Sequence, residues 1–151
     1  MRGTSKLLIL GPSYRRNLDP NPLPAIKRYD GLFYRIVRKY MDAIKGKVDI
    51  LIVTEDLELI TPETPLPYKP PRGDKWKDLR LEKIPEAKQR ELQDKLISSL
   101  RSGHYDEVFI ALNKHYRGLL PDLKPYVRRV LADFRGLGSK AEAIKKWIIE
   151  D

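Results

Sequence analysis

The sequence predicts an α/β fold, with a mostly parallel sheet of about four strands and helices on both faces. Three observations predict it. Short apolar runs bounded by turn residues recur along the chain, amphipathic helical patterns separate them, and 151 residues suit one domain spanning 1–151. Strands that alternate with helices favour right-handed βαβ connections and a sheet covered on both sides.

The first element is "KLLIL", Lys6 to Leu10, a continuous apolar run stopped by Gly11-Pro12, the pattern of a buried strand. "YDGLFYRIVRKYMDAI" follows as a helix, with Leu32, Phe33, Ile36, Val37, Tyr40 and Ile44 on one face and Asp30 as its N-cap. "VDILIVT", Val48 to Thr54, repeats the strand pattern. Pro85 opens a second helix striped by Leu92, Leu96, Ile97 and Leu100, and Gly103 suits its exit. "EVFIALN", Glu107 to Asn113, is the third strand. "YVRRVLADF", Tyr126 to Phe134, reads as a strand over part of its length, although its period also suits a short helix. From Ser139 a capping box with Glu142 starts the last helix, preceded by Gly136 and Gly138. Thr61 to Ile84 is a long irregular stretch.

Thirty Lys and Arg against 21 Asp and Glu leave a net charge of +9, unevenly spread. Met1 to Lys47 carries +8, Val48 to Tyr68 carries −5, Lys69 to Arg90 carries +4 and the remainder +2. Basic regions favour a polyanion such as nucleic acid, while dense surface ion pairs of a thermophilic protein would give a similar composition. The absence of cysteine excludes thiol nucleophiles, disulfides and thiolate-bound metal. No apolar run is long enough for a membrane span or a signal peptide, so a soluble cytoplasmic protein is expected.

Candidate chemistry gathers after the strands. "PYKPPRGDKW" sits in the irregular stretch beyond the second strand, on the side of an open parallel sheet where ligands bind. Tyr68 and Trp76 offer flat faces for a base, Lys69 and Arg72 offer phosphate contacts, and Gly73 permits a turn. "GPSYRRN" places Ser13, Arg15 and Arg16 after the first strand, where guanidiniums bind phosphate or carboxylate. It lacks P-loop spacing, and no motif calls for a cofactor. Thr54 and Glu55, with Asp56 and Glu58, form a carboxylate-rich turn suited to an amine; its spacing matches no calcium loop, and no metal is expected. Glu55, His115 and Tyr116 are the candidate catalytic groups, whereas His104 reads as structural.

"LLILGPSYRRN", "YDGLFYRIVRKY", "VDILIVTEDLELITPETPLPYKPPRGDKW" and "HYDEVFIALNKHYRGLL" resemble, in sequence and spacing, the core domain of archaeosine synthase and the small Rossmann-like proteins related to the peroxide-stress protein YaaA. The resemblance runs over roughly Lys6 to Leu120, and "GLG" at Gly136 to Gly138 is similar to the small relatives. It implies a three-layer Rossmann-like fold and a role in modifying the 7-deazaguanine base of archaeal tRNA. The synthase member moves free lysine onto the nitrile of the preQ0 base, and a radical enzyme partner completes the conversion. Tyr68, Gly73 and Trp76 match the family's loop, and Asp30-Gly31 matches the start of the small relatives' first helix.

The family's cysteine after the proline is Ser13 here, its Lys-Pro-Tyr with downstream Ser and His is missing from "YRRNLDP", and Glu58 stands where relatives carry glycine. The resemblance therefore implies a diverged, stand-alone member with an incomplete catalytic motif and no RNA-binding PUA domain. Such a member is expected to bind tRNA or another nucleic acid, with a small transferase acting on a deazaguanine base or nucleoside, or a non-catalytic subunit beside a protein partner, as the alternatives.

Overall fold

The computed structural model describes residues 5–69, 85–112, 114–132 and 137–150. Its centre is a five-stranded sheet. Strand β1 (Lys6–Leu10) lies in the middle, parallel to β3 (Val48–Val53) on one side and to β6 (Glu107–Ala111) on the other. Beyond β6 runs β7 (Arg129–Leu131), also parallel, so the ambiguous Tyr126 to Phe134 segment does contribute a strand. Beyond β3 runs β4 (Leu59–Ile60), antiparallel, which makes a fifth strand. Leu23–Pro24 (β2) and Pro65–Leu66 (β5) form a separate antiparallel ribbon, so part of the stretch expected to be irregular is paired.

All five residues of β1 are buried, because side chains alternate between two cores. Leu8 and Leu10 join Ile50, Ile52 and Phe109 under helices α2 (Leu32–Ile44) and α5 (Leu137–Ile149), which supply Tyr34, Val37, Ile144 and Trp147. Leu7 and Ile9 join Val108 and Ile110 against Leu92, Leu96 and Leu100 of α3 (Glu86–Gly103). The short α4 (Lys114–Arg117) adds Tyr116 to that second core. Helix α1 (Ala25–Arg28) is a single turn that packs with the first core.

Three helix ends differ from expectation. The N-cap of α2 is Gly31 with no side-chain cap, because the Asp30 carboxylate is taken by arginines. The left-handed exit of α3 falls on His104, φ 53°, one residue past Gly103, and its N–H returns to the Leu100 carbonyl. Helix α5 already includes Leu137, so Ser139 lies inside its first turn. Lys6, at the start of β1, is 6% exposed, and its ammonium donates to the carbonyls of Trp147 and Glu150 at 2.7 Å each. A cation there complements the negative end of α5.

Candidate functional site

The carboxyl ends of β1 and β3 lie side by side, and the segments that leave them build the site. Strand β1 stops before Gly11, where a Cβ would stand 2.7 Å from Leu112 Cδ2, so a larger residue there would have to displace the tip of the buried Leu112 side chain. The chain then turns through Ser13, whose hydroxyl donates to the Arg15 carbonyl at 2.8 Å and whose own carbonyl accepts from Arg16 Nε at 3.0 Å. That bond directs the Arg16 side chain inward.

Arg16 is buried, and its Nη1 lies 3.0 Å from Glu55 Oε1 and donates to the Lys69 carbonyl at 2.9 Å. The Tyr29 hydroxyl donates to the other Glu55 oxygen at 2.7 Å, and the Arg16 guanidinium stands 5.5 Å from the Tyr29 ring centroid. Arginine, carboxylate and phenol thus join the β1 loop, the α1–α2 corner and the end of β3. Burial pushes the Tyr29 phenol far above its ordinary value, with the Glu55 charge adding to the shift. Complete burial also raises Tyr34, whose hydroxyl donates to the Gly11 carbonyl at 2.6 Å.

The Thr54 to Glu58 turn is tight. Thr54 N–H donates to the Glu58 carbonyl, Thr54 Oγ1 accepts from Glu58 N–H, and Leu57 sits at φ 59°. Asp56 reaches Lys69 at 3.6 Å. Arg16, Tyr29, Thr54, Glu55, Pro67 and Lys69 line a cleft of about 260 Å³.

Arg28 supports one wall. It is 1% exposed, and its guanidinium donates to the carbonyls of Asn17, Asp19, Asn21 and Leu66 while standing 5.6 Å from the Tyr68 ring centroid. Saturation by carbonyls lets a charge without a carboxylate stay buried.

A second cluster surrounds Asp30. Arg15 Nε approaches its carboxylate at 3.5 Å, Arg35 Nη2 at 3.2 Å, and Arg38 makes a closer contact. Arg38 also donates to the carbonyls of Ile26 and Tyr29, which fixes it, whereas the Arg15 side chain is 68% exposed. The hydrogen bond from Arg35 holds the Asp30 carboxyl below its usual value, and Arg38 adds to it. Three guanidiniums around one carboxylate leave a local charge of about +2 by simple counting.

The structure thus gathers Ser13, Arg15, Arg16, Asp30, Thr54, Glu55, Tyr68 and Lys69 in one region. Tyr116 is elsewhere, buried in the α3-side core, and His115 belongs to α4 after β6. Near that strand end, Lys140 donates to the Leu112 carbonyl at 3.3 Å, and burial, with Arg117 close by, lowers its pKa. Arg72, Gly73 and Trp76 lie outside the described residues. Among the described residues no group of three or more His, Asp and Glu side chains could hold a metal, and no helix is long and apolar enough to cross a membrane.

Sequence reasoning missed Arg28, Tyr29, Arg35 and Arg38. The three-residue spacing of Arg35 and Arg38, which puts both on one helix face, was a usable signal. Arg28 gave none, since an arginine destined for carbonyls reads like any surface arginine. No protein-family model, curated protein or solved structure matches the chain.

Proposed function

We propose that the chain is a three-layer, Rossmann-like nucleic-acid-binding domain that binds tRNA in the cytoplasm, in connection with 7-deazaguanine base modification. The guanidinium cluster at Asp30 takes backbone phosphates, and the adjoining cleft takes an unstacked base. The observation that carries this reading is the convergence of Arg15, Arg35 and Arg38 on a single carboxylate. Asp30 holds the guanidiniums in place without neutralising them, and Arg15 and Arg35 remain accessible to a phosphate, with side chains 68% and 46% exposed. Charge-assisted, bidentate contacts of this kind suit phosphate oxygens.

In the same reading Glu55 is a positioning residue. Both of its oxygens are engaged, one by Arg16 and one by Tyr29, so it shapes the cleft floor.

Binding of unmodified and preQ0-containing tRNA at two salt concentrations, with a DNA duplex of equal length as competitor, tests the proposal. Salt-sensitive binding that prefers the preQ0-containing tRNA is expected. Each phosphate contact removed lowers the slope of log K against log salt by ~0.7–0.9, so Arg15→Ala with Arg35→Ala should flatten it by roughly twice that. Salt-independent binding, or none, rejects it.

A further inference from the structure

The sheet has an open edge at β3. Strand β4 pairs with β3 only at Ile52 and Val53, although β3 begins at Val48. The Thr54 N–H donates to the Glu58 carbonyl, so the backbones of Thr54 and Ile52 face β4 and, by alternation along the strand, those of Ile50 and Val48 face the same side. Past Ile60 the chain leaves the sheet in a turn, with Thr64 N–H donating to the Thr61 carbonyl. Proline has no N–H to give, and the Pro62 carbonyl turns away to accept from Ile26 N–H at 3.0 Å. Among the described residues nothing pairs with the outer edge of Val48–Leu51, and Ile50 is only 7% exposed. Backbone groups so placed are a template for another strand.

A groove of about 560 Å³ follows this edge, with Met41, Ile44, Ile50, Leu51, Pro62 and Tyr105 as its apolar lining. Its charged rim is acidic, with Asp42, Asp49 and Glu63 against Lys45, on a chain whose net charge is +9. The Tyr105 hydroxyl donates to Asp49 at 2.5 Å and so fixes one end.

We infer that this edge receives an extended segment of a partner protein, added as a strand, in which apolar residues alternate with Lys or Arg. Edge pairing supplies main-chain hydrogen bonds and the groove reads alternate side chains. The rim decides against the other occupants. A two-fold pairing of this edge with a second copy would set Asp42, Asp49 and Glu63 against their own counterparts, and like charges facing across strands are destabilising. A nucleic acid would bring phosphates to three carboxylates.

Residue-resolved amide hydrogen exchange on the full chain tests the inference, with a Lys-Val-Lys-Val-Lys-Val peptide as the probe. In the free chain the Ile50 amide should exchange at least tenfold faster than those of Asp49 and Leu51, which face β1. Saturating peptide should slow it at least tenfold, whereas the same peptide methylated on the nitrogens of its valines, or a Glu-Val counterpart, should not. Asp42→Asn with Glu63→Gln, both exposed, should weaken peptide binding severalfold with an unchanged circular dichroism spectrum. An Ile50 amide already protected in the free chain, no slowing with peptide, or equal slowing by the methylated peptide each overturns the inference. The groove and the arginine cluster share no residue, so loss of tRNA binding leaves this result standing.

Discussion

The two faces of the sheet are packed by different means. Under α3 the core is mainly aliphatic, built from Leu7, Ile9, Leu92, Leu96, Leu100, Val108 and Ile110, with Tyr116 its one buried aromatic among the described residues. Under α1, α2 and α5 the core holds Tyr29, Tyr34, Phe109 and Trp147, and buried charges flank it: Lys6, Arg16 and Arg28. An aliphatic face can be cut or refilled with losses that follow volume. A face with buried charge fails through desolvation when one partner is removed, and it is the face that carries the candidate site. Specific position and plain cohesion are therefore separated by the thickness of one sheet.

The largest break in that comparison should come from Glu55→Ala. It leaves the Arg16 guanidinium buried without its carboxylate, and loss of one member of a buried pair costs ~3–5 kcal/mol. Urea unfolding followed by circular dichroism measures it, and a loss below 1 kcal/mol would mean that Arg16 finds water easily. On the plain face, Leu96→Ala removes a side chain of 0% exposure and should cost ~2–5 kcal/mol as a cavity. The folded fraction of that variant should bind tRNA as before; weakened binding would show that the faces are coupled.

Tyr29→Phe sharpens the comparison. It removes a hydrogen bond to a carboxylate, for ~1.5–3 kcal/mol at neutral pH. It should also change the alkaline limb. The folded pKa of Tyr29 is raised above the ordinary value of 10.0, so its contribution is complete below pH 10 and is lost as pH rises beyond it. Stability against pH from 9 to 11 should accordingly fall less steeply in the variant than in the parent chain.

The smallest effect belongs to Asp30→Asn. Its carboxyl is held below the ordinary 3.8, so its stabilisation is present above that value and is lost as pH falls through the lower folded one. The partners are partly exposed, and the change at neutral pH should be about 1 kcal/mol or less. A pH titration of unfolding from 5 to 2 measures it. An acid limb as steep in the variant as in the parent chain would remove Asp30 as its cause.

What the sequence made legible follows the same division. Apolar runs such as "KLLIL" and "VDILIVT" need no partner to be recognised, since a strand buried on both faces must be apolar throughout. Two-residue strands such as Leu59–Ile60 and Pro65–Leu66 are too short to leave a period. Arg16 and Glu55 were each legible as candidates, but 39 positions separate them and nothing local says that they meet. Asp30 was read as a helix cap because acidic residues before a helix usually are; Arg35 and Arg38, one turn apart on α2, outcompeted the backbone for it. Long-range polar pairing escapes local pattern.

The central position of β1 bears on how the chain is made. The strand precedes both of its neighbours: β3 follows within the next few dozen residues, yet β6 begins only at Glu107. At synthesis rates of ~5–20 residues per second, roughly 5–20 s pass before that side can be paired. Through this interval a strand of five apolar or apolar-stemmed residues has an edge open to other nascent chains. The ammonium of Lys6 finds the carbonyls of α5 later still. During translation the heart of the sheet is thus exposed on one side until β6 is made, and a holding chaperone that favours short apolar segments would have a target at "KLLIL".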